Sequence, residues 1–130
     1  MTQRGARRRR IELEYVVETR TQRTGTRVHV TGRAEQLLPD GSWGRLVRLG
    51  PAALADLVTA VEASSFFGLP EVIPPDDGVG GTDLRWTVEL DGREGRVRAT
   101  LGRRMPPGLQ LLNDELQRLI GEALDAEAGD

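Results

Sequence analysis

The sequence has no lysine, no cysteine and a single histidine, His29, while all eighteen of its basic side chains are arginine. Serine is also scarce and occurs at three positions, Ser42, Ser64 and Ser65. Most protein-borne catalysis uses His, Cys, Lys or an activated Ser. These absences exclude a Cys–His pair, a Schiff-base lysine, a P-loop lysine and a cysteine metal cage. They predict a chain that is not an enzyme and that holds no cofactor or metal.

Long apolar runs are missing as well. No stretch approaches the roughly 20 apolar residues that a membrane span needs. The arginines at 7–10 could open a signal peptide, but Glu12, Glu14 and Glu18 interrupt any apolar segment behind them. The absence of cysteine leaves no disulfide to indicate an oxidising compartment. We therefore expect a cytoplasmic protein with no membrane partner.

Length and composition predict one globular domain. A chain of 130 residues with 38% apolar and 29% charged residues is long enough to bury its own core. Residues 1–10 contain five arginines and nothing apolar that could anchor to a core, so they are predicted to form a disordered, arginine-rich arm. The predicted domain then spans residues 11–124, and residues 125–130 form an acidic tail.

The net charge of −2 conceals segregated charges. Residues 20–48 contain six arginines against Glu35 and Asp40, whereas residues 114–130 contain six acids against Arg118. A basic arm and a basic hairpin therefore belong to an acidic body. Such asymmetry favours an oriented encounter with a charged partner.

The first half of the domain shows strand periodicity and then helix periodicity. Residues 11–17 alternate between apolar and polar types, which predicts a half-buried strand. A polar connection over 19–26 leads to a second strand with Val28 and Val30 facing inward. A turn at 39–41 precedes a possible third strand at 45–49. Pro51 suits the start of a helix, and the following apolar residues recur at helical spacing as far as Ser64.

The second half repeats this layout. Residues 84–90 and 97–101 alternate, and Asp91-Gly92 between them is a strong hairpin signal. Pro106-Pro107-Gly108 opens a second amphipathic helix. The order β-β-(β)-α-β-β-α predicts a two-layer α+β domain. It would consist of an antiparallel sheet of four to five strands with both helices packed on one face.

Three sets of surface residues are candidate binding sites. The Pro/Gly-rich segment after Pro70 predicts a partner-binding loop, since long loops in compact domains are often functional; its candidates are Pro75, Asp76, Asp77, Gly78, Gly80 and Gly81. This segment lacks the closing Glu of a calcium loop and the following helix of a phosphate loop. Electrostatic contacts are predicted for Arg7, Arg8, Arg9, Arg10, Arg23 and Arg27. Trp43, beside a turn, is the candidate exposed aromatic.

The remaining polar candidates have simpler interpretations. His29 alternates with Val28 and Val30, so it is predicted to be an exposed strand residue without a role. Glu12, Glu14 and Glu18 share one strand face, where cross-strand ion pairing with residues such as Arg27 is expected.

Residues 54–119 resemble the emfourin-type protein inhibitors of thermolysin-family metalloproteases, which are small cytoplasmic bacterial proteins. The resemblance lies in a helix, a pair of phenylalanines, a Pro/Gly-rich loop and an Asp-plus-aromatic strand, carried by Leu54, Leu57, Val58, Phe66, Phe67, Leu69, Pro70, Asp83, Trp86, Val88, Pro107, Leu109 and Leu112. The family has a glycine-rich turn after its first strand, whereas this chain has a polar stretch with a single glycine over 19–26.

This resemblance implies a non-catalytic protein-binding domain that inhibits a metalloprotease. Such a domain would place a loop across the active-site cleft, with Asp76 or Asp77 approaching the zinc of the partner. The alternative is an accessory domain that binds nucleic acid or an acidic protein through the arm and the basic hairpin. A third alternative, an enzyme using carboxylates alone, needs a buried acidic pair that the alternation does not predict.

Overall fold

A computed structural model of the chain describes residues 9–75, 81–101 and 105–129. The described residues form seven strands, two α-helices and one 3₁₀ turn at Phe66–Gly68. The helices are α1 (Pro51–Ala63) and α2 (Pro107–Ala128). The strands are β1 (Ile11–Glu18), β2 (Arg23–Val28), β3 (Arg33–Leu37), β4 (Trp43–Arg48), β5 (Val72–Ile73), β6 (Thr82–Leu90) and β7 (Arg93–Leu101).

The strands form one sheet in the order β4-β3-β2-β1-β6-β7-β5. The α+β class is therefore confirmed, but the expected number of four to five strands was too low. The sheet is also mixed rather than purely antiparallel, because β5 runs parallel to β7.

Strand β1 lies at the centre of the sheet, between β2 and β6. Its apolar residues share one face with the apolar residues of β6, because Leu13 pairs with Val88 and Tyr15 with Trp86. The rings of Tyr15 and Trp86 stack with their centroids 3.9 Å apart. The predicted alternation is thus confirmed in β1 and β6, and one face of the sheet becomes the floor of the core.

Two strands, β3 and β5, were not predicted, for different reasons. Strand β3 has no clean alternation, because Ala34 and Glu35 are consecutive buried residues at a bulge in its pairing with β4. A bulge breaks the period of two on which sequence reasoning depends. Strand β5 contains two residues, Val72 and Ile73, and no periodicity can be read from two positions.

Turn chemistry was easier to predict. The β6–β7 hairpin turns at Asp91 and Gly92 with φ values of 52° and 87°, and the β3–β4 turn places Gly41 at φ 89°. Both predicted turns are confirmed. The β1–β2 connection was predicted too long, since β2 begins at Arg23, and β2 ends at Val28, before Val30.

Both helices begin at the predicted prolines, Pro51 and Pro107. They cover the apolar face of the sheet and contribute to the same core, to which α2 adds Leu109, Leu112, Leu116, Leu119 and Ile120. The start of α2 lies close to the end of α1. A Cβ on Gly108 would lie 2.6 Å from the carbonyl oxygen of Ser64, so this approach requires glycine. No helix in the described ranges could span a lipid bilayer.

Helix α2 extends through Ala128, so residues 125–128 of the predicted acidic tail are helical. Hydrogen bonds of Glu127 help to hold this last turn of α2 in place. Its Oε2 atom accepts hydrogen bonds from the backbone N–H of Arg48 and from the guanidinium of Arg45, each at 3.2 Å. These bonds lower the pKa of Glu127. The end of α2 therefore covers part of the edge strand β4, where unpaired backbone groups invite aberrant pairing.

Two adjacent leucines of α2 differ in burial, and substitutions of them test the placement of the core. Leu112 is fully buried, whereas Leu111 leaves 43% of its surface exposed. We expect Leu112→Ala to lower the free energy of unfolding by about 2–5 kcal/mol, since it removes buried methyl groups and leaves a cavity. Leu111→Ala, the matched control, should change it by about 0.5 kcal/mol or less. Urea denaturation measures both values, and equal losses of unfolding free energy in the two variants would contradict the packing of α2.

Candidate functional site

The sheet has an outer face, defined here as the face opposite the two helices. Register places residues of this face in rows that cross the strands. One row contains Glu35, Arg27, Glu14, Thr87 and Arg96. Among the described residues, this face carries most of the predicted polar candidates.

Glu35 lies at the centre of a charge cluster on the outer face. Among the described residues it is the one charged residue that is buried, with 5% of its surface exposed. Arg27 donates Nε–H to its Oε1 at 2.7 Å, His29 Nε2 lies 2.8 Å from the same oxygen, and Arg33 contacts Oε2 at 3.2 Å. Hydrogen bonds from His29 and Arg27 lower the pKa of Glu35 from 4.5 to about 2.

The prediction for His29 was wrong about its role. Its side chain is 37% exposed, but its Nε2 is engaged with Glu35. Because an ionised carboxylate only accepts hydrogen bonds, His29 must carry its proton on Nε2. His29 therefore helps to satisfy a buried charge, which is costly without partners.

Trp43 is half-buried, and its ring lies against the outer face. A Cβ on Gly25 would lie 3.3 Å from Cη2 of Trp43 and 3.3 Å from Cγ2 of Val16. Glycine thus leaves room for the indole to lie across β2. The guanidinium of Arg27 lies over the ring, 4.5 Å from its centroid, which is a cation–π geometry. Arg27 therefore contacts both Trp43 and Glu35.

The predicted partner-binding loop follows the edge strand β5. Pro75 is half-buried and Gly81 is exposed. Asp76, Asp77, Gly78 and Gly80 lie outside the described residues. At the start of this segment, Val72 has 67% of its surface exposed, the largest value among the exposed large apolar side chains of the described ranges.

The predicted arginine contacts divide into several environments. Arg9 donates Nε–H to Asp91 at 2.6 Å and Nη2–H to Glu62 at 3.2 Å. Arg10 is exposed and donates its backbone N–H to Asp91 at 2.9 Å. Arg23 is exposed on β2. Arg27 belongs to the Glu35 cluster, while Arg7 and Arg8 lie outside the described part of the chain.

Three glutamates form a second row on the outer face, called the acidic row here. Glu12 on β1 pairs in register with Glu89 on β6, and Glu89 pairs with Glu94 on β7. Glu94 has an ion pair with Arg96 at 3.5 Å. Glu12 and Glu89 make no ion pair or side-chain hydrogen bond with other described residues. Like charges directly opposite each other destabilise a sheet.

Cross-strand ion pairing occurs, but not with the predicted partner. Arg27 is aligned with Glu14 in the ladder, yet its side chain binds Glu35 on the other neighbouring strand. Glu18 is 3.9 Å from Arg85. The expected ion pair between a β1 glutamate and Arg27 was therefore wrong. Arg27 binds the buried Glu35 carboxylate instead, because a buried charge is costly without partners.

An open groove of about 720 Å³ lies between α1 and α2. Ala60, Ala63 and Leu111 are among the apolar residues that line it. Asp56 and Arg118 lie at its charged rim, 3.8 Å apart. The groove is apolar in part, but nothing in its geometry selects an occupant.

The chain matches no protein-family model, and no curated protein matches it. The residues described in the structure contain no group of three or more His, Asp or Glu side chains arranged to hold a metal ion.

The Glu35 cluster could not be predicted from the local sequence. In the sequence Glu35 is one of two acids in a basic segment, and its burial depends on the β3 bulge. One signal was available: His29 and Arg33 flank a turn, and Arg27 precedes it. Folding that segment as a hairpin would have brought all three near Glu35.

The lowered pKa of Glu35 predicts a pH-dependent stability. Because the folded-state pKa is about 2 and the ordinary value is 4.5, the carboxylate stabilises the fold above pH 4.5. That contribution is lost as the pH falls from 4.5 through 2. We expect Glu35→Gln to be less stable than the wild type at neutral pH, with a difference that shrinks across this window. Urea denaturation at several pH values measures it.

Glu71→Gln is the matched control, since Glu71 is exposed and its side chain makes no hydrogen bond or ion pair with other described residues. A constant difference between wild type and Glu35→Gln from pH 7 to pH 2 would contradict the assigned role of the Glu35 carboxylate.

Proposed function

We propose that the chain is a non-catalytic protein-binding domain of the emfourin-like type, which inhibits a thermolysin-type metalloprotease in the cytoplasm. The observation that carries this proposal is the exposed edge strand β5. Val72 leaves 67% of its surface in solvent there. A sheet edge also presents unpaired backbone groups to which another polypeptide can add, and Val72 supplies an apolar contact beside them.

The backbone around β5 is held in place on both sides of the loop. Arg98 donates its N–H to the carbonyl oxygen of Glu71 at 2.7 Å, and Ile73 pairs with Ala99. After the loop, Thr82 pairs with Leu101 at the end of the same sheet. A segment that is anchored before binding loses less conformational entropy on binding. This supports a recognition element rather than an untethered connection.

Proline adds to this preorganisation. Pro74 and Pro75 follow β5 directly, and each proline ring restricts φ to about −65°. The two prolines therefore limit the backbone conformations after Ile73 in the unbound protein.

The residues that carry the resemblance to the emfourin family lie mainly in the core. Leu57, Phe66, Trp86, Leu109 and Leu112 are all buried in the core. They account for a similar fold, while inhibition has to come from surface residues. The polar β1–β2 connection, which differs from that family, leaves the β5 edge as the favoured contact surface.

Inhibition of a purified thermolysin-type protease tests the proposal, ideally with a protease from the same organism. We expect stoichiometric inhibition without cleavage of the inhibitor. Val72→Asp should weaken it by about 30-fold or more, the loss of about 2 kcal/mol expected at an interface hot spot. Leu124→Asp is the matched control, since Leu124 is 39% exposed on α2, away from β5.

Absence of inhibition by the wild type would refute the proposal. Equal losses of inhibitory potency in Val72→Asp and Leu124→Asp would refute the role of β5. A double variant, Asp76→Ala with Asp77→Ala, tests the approach of a carboxylate to the zinc of the partner. Unchanged inhibition by this double variant would exclude that detail alone.

An accessory domain for nucleic acid or an acidic protein is the second candidate. It is favoured by exposed arginines on the outer face, where Arg85 and Arg98 are neighbours in register and Arg23 is exposed on β2. Arg9 and Arg27 contribute less, because both already bind carboxylates of the chain.

Deletion of residues 1–8 separates the two candidates and leaves the Arg9–Asp91 contact in place. Charge-driven binding to an acidic protein or a polynucleotide should weaken several-fold on deletion and should fall steeply with salt. Protease inhibition should persist. Loss of inhibition on deletion, without any salt-dependent binding, would contradict this division of roles.

A further inference from the structure

We infer that the partner contacts β5 by strand addition, in which an extended, acidic segment of the protease pairs with the backbone of Val72. Strand addition rests on the proposed function and specifies how the protease contacts this edge. Strand β5 lies at one end of the sheet, and within the described ranges β7 is its one neighbouring strand. The other side of the β5 backbone therefore has no partner strand.

The backbone of Val72 faces this free side. Arg98 donates its N–H to the carbonyl oxygen of Glu71 at 2.7 Å, so the Glu71 carbonyl points towards β7. In an extended strand a residue directs its N–H and C=O to one side, and the next residue directs them to the other. The N–H and the C=O of Val72 therefore both point away from β7. One donor and one acceptor are available there to an added strand.

Prolines restrict the added strand to this position. Pro70 and Pro74 lie two residues before and two residues after Val72, and proline has no N–H to donate. Between these prolines, Val72 alone directs both a donor and an acceptor to the free edge. The edge therefore suits a short extended segment and does not support a long additional strand.

Positive charge on the outer face indicates the chemistry of this segment. Val72 pairs in register with Arg98, which pairs with Arg85, and Ile73 packs against the core instead. Val72 and the two arginines therefore share the outer face. Arg98 is exposed and makes no ion pair with other described residues, while Arg85 is 3.9 Å from Glu18. Like charges opposite each other destabilise a sheet, so a carboxylate near this pair is favourable.

A carboxylate on the added strand can reach Arg98. Neighbouring strands are about 4.8 Å apart, so an added strand lies about 10 Å from β7, with β5 between them. A long arginine and a glutamate side chain together span this gap. Because side chains alternate between faces, we expect an apolar partner residue opposite Val72 and an acidic one two positions along the segment.

A second copy of this chain fits the edge less well. Pairing β5 with β5 of another copy would bring the Arg85 and Arg98 side chains of both copies onto one continuous outer face. Like charges repel there. An acidic partner segment instead satisfies both the backbone of Val72 and the arginines.

Val72→Pro tests the backbone contact, because it removes the N–H that faces the free edge and no N–H that pairs with β7. We expect it to weaken inhibition of a thermolysin-type protease by about 10-fold or more, since it leaves a buried carbonyl of the partner unpaired. Val72→Ala is the matched control. It shortens the side chain but keeps the N–H, so it should weaken inhibition less. An equal or greater loss in Val72→Ala would overturn strand addition.

Hydrogen exchange gives a second readout that needs no variant. In the free ¹⁵N-labelled protein we expect the Val72 amide to exchange rapidly, and the Arg98 amide, which is bonded to Glu71, to exchange slowly. Addition of unlabelled protease should slow exchange at Val72 by about 10-fold or more, because the N–H becomes paired. Unchanged exchange at Val72 in an inhibited complex would overturn strand addition.

Charge reversal tests the acidic character of the partner segment. Arg98→Glu should weaken inhibition by about 10-fold or more at low salt and by less at high salt, because ions screen exposed charges. Arg20→Glu is the matched control, since Arg20 is exposed in the β1–β2 connection, and β1 lies three strands away from β5. Equal effects of the two reversals would refute the acidic segment.

Failure of strand addition and failure of the proposed function give different results. Absence of inhibition by the wild type would overturn both. Inhibition that Val72→Pro and Arg98→Glu leave unchanged would overturn strand addition alone. Self-association of the free protein that Val72→Pro abolishes, measured by sedimentation, would assign the edge to a second copy and overturn strand addition by the protease.

Discussion

The pairing of β1 with β6 is the constraint on which the rest of the structure depends. It joins Ile11–Glu18 to Asp83–Leu90 in continuous antiparallel register and places the chain's first strand at the centre of the sheet. Because side chains alternate between faces, this one register sends Tyr15 and Trp86 into the core together. A slip by one residue would move Glu12 and Glu14 beneath the helices. The same register that builds the core therefore also aligns Glu12 with Glu89 on the outer face.

The outer face shows how the fold handles charge and glycine together. Gly25 leaves space for the indole of Trp43, and Arg27 covers the ring while donating to Glu35. A comparable arrangement occurs on the helix side. There Gly95 admits the ring of Phe67, and Arg93 lies 4.5 Å from its centroid. In both places a strand glycine accepts an aromatic ring that an arginine covers. Arginine can do this because its planar guanidinium stacks and hydrogen-bonds at once.

The two edges of the sheet differ in how their backbone groups are covered. At β4, Glu127 accepts the backbone N–H of Arg48, so the end of α2 satisfies part of the edge. At β5, the strand is short and Val72 is exposed beside two prolines. Short strands and prolines limit uncontrolled pairing, yet they leave an apolar contact surface. Edge β5 thus leaves an apolar side chain in solvent, whereas the acidic row is a separate, charged surface.

Local patterns in the sequence determined the α+β class, both helix starts, the β6–β7 hairpin and the core faces of β1 and β6. Each of these depends on a period or a turn residue within a few positions, such as Asp91-Gly92. Tertiary structure alone decided that β3 and β5 are strands, that Glu35 is buried, and that Arg27 binds Glu35 instead of Glu14. Those outcomes depend on the order in which strands meet and on a bulge at Ala34/Glu35. Contacts between residues that are distant in sequence leave no period to read, so only the folded sheet could place them.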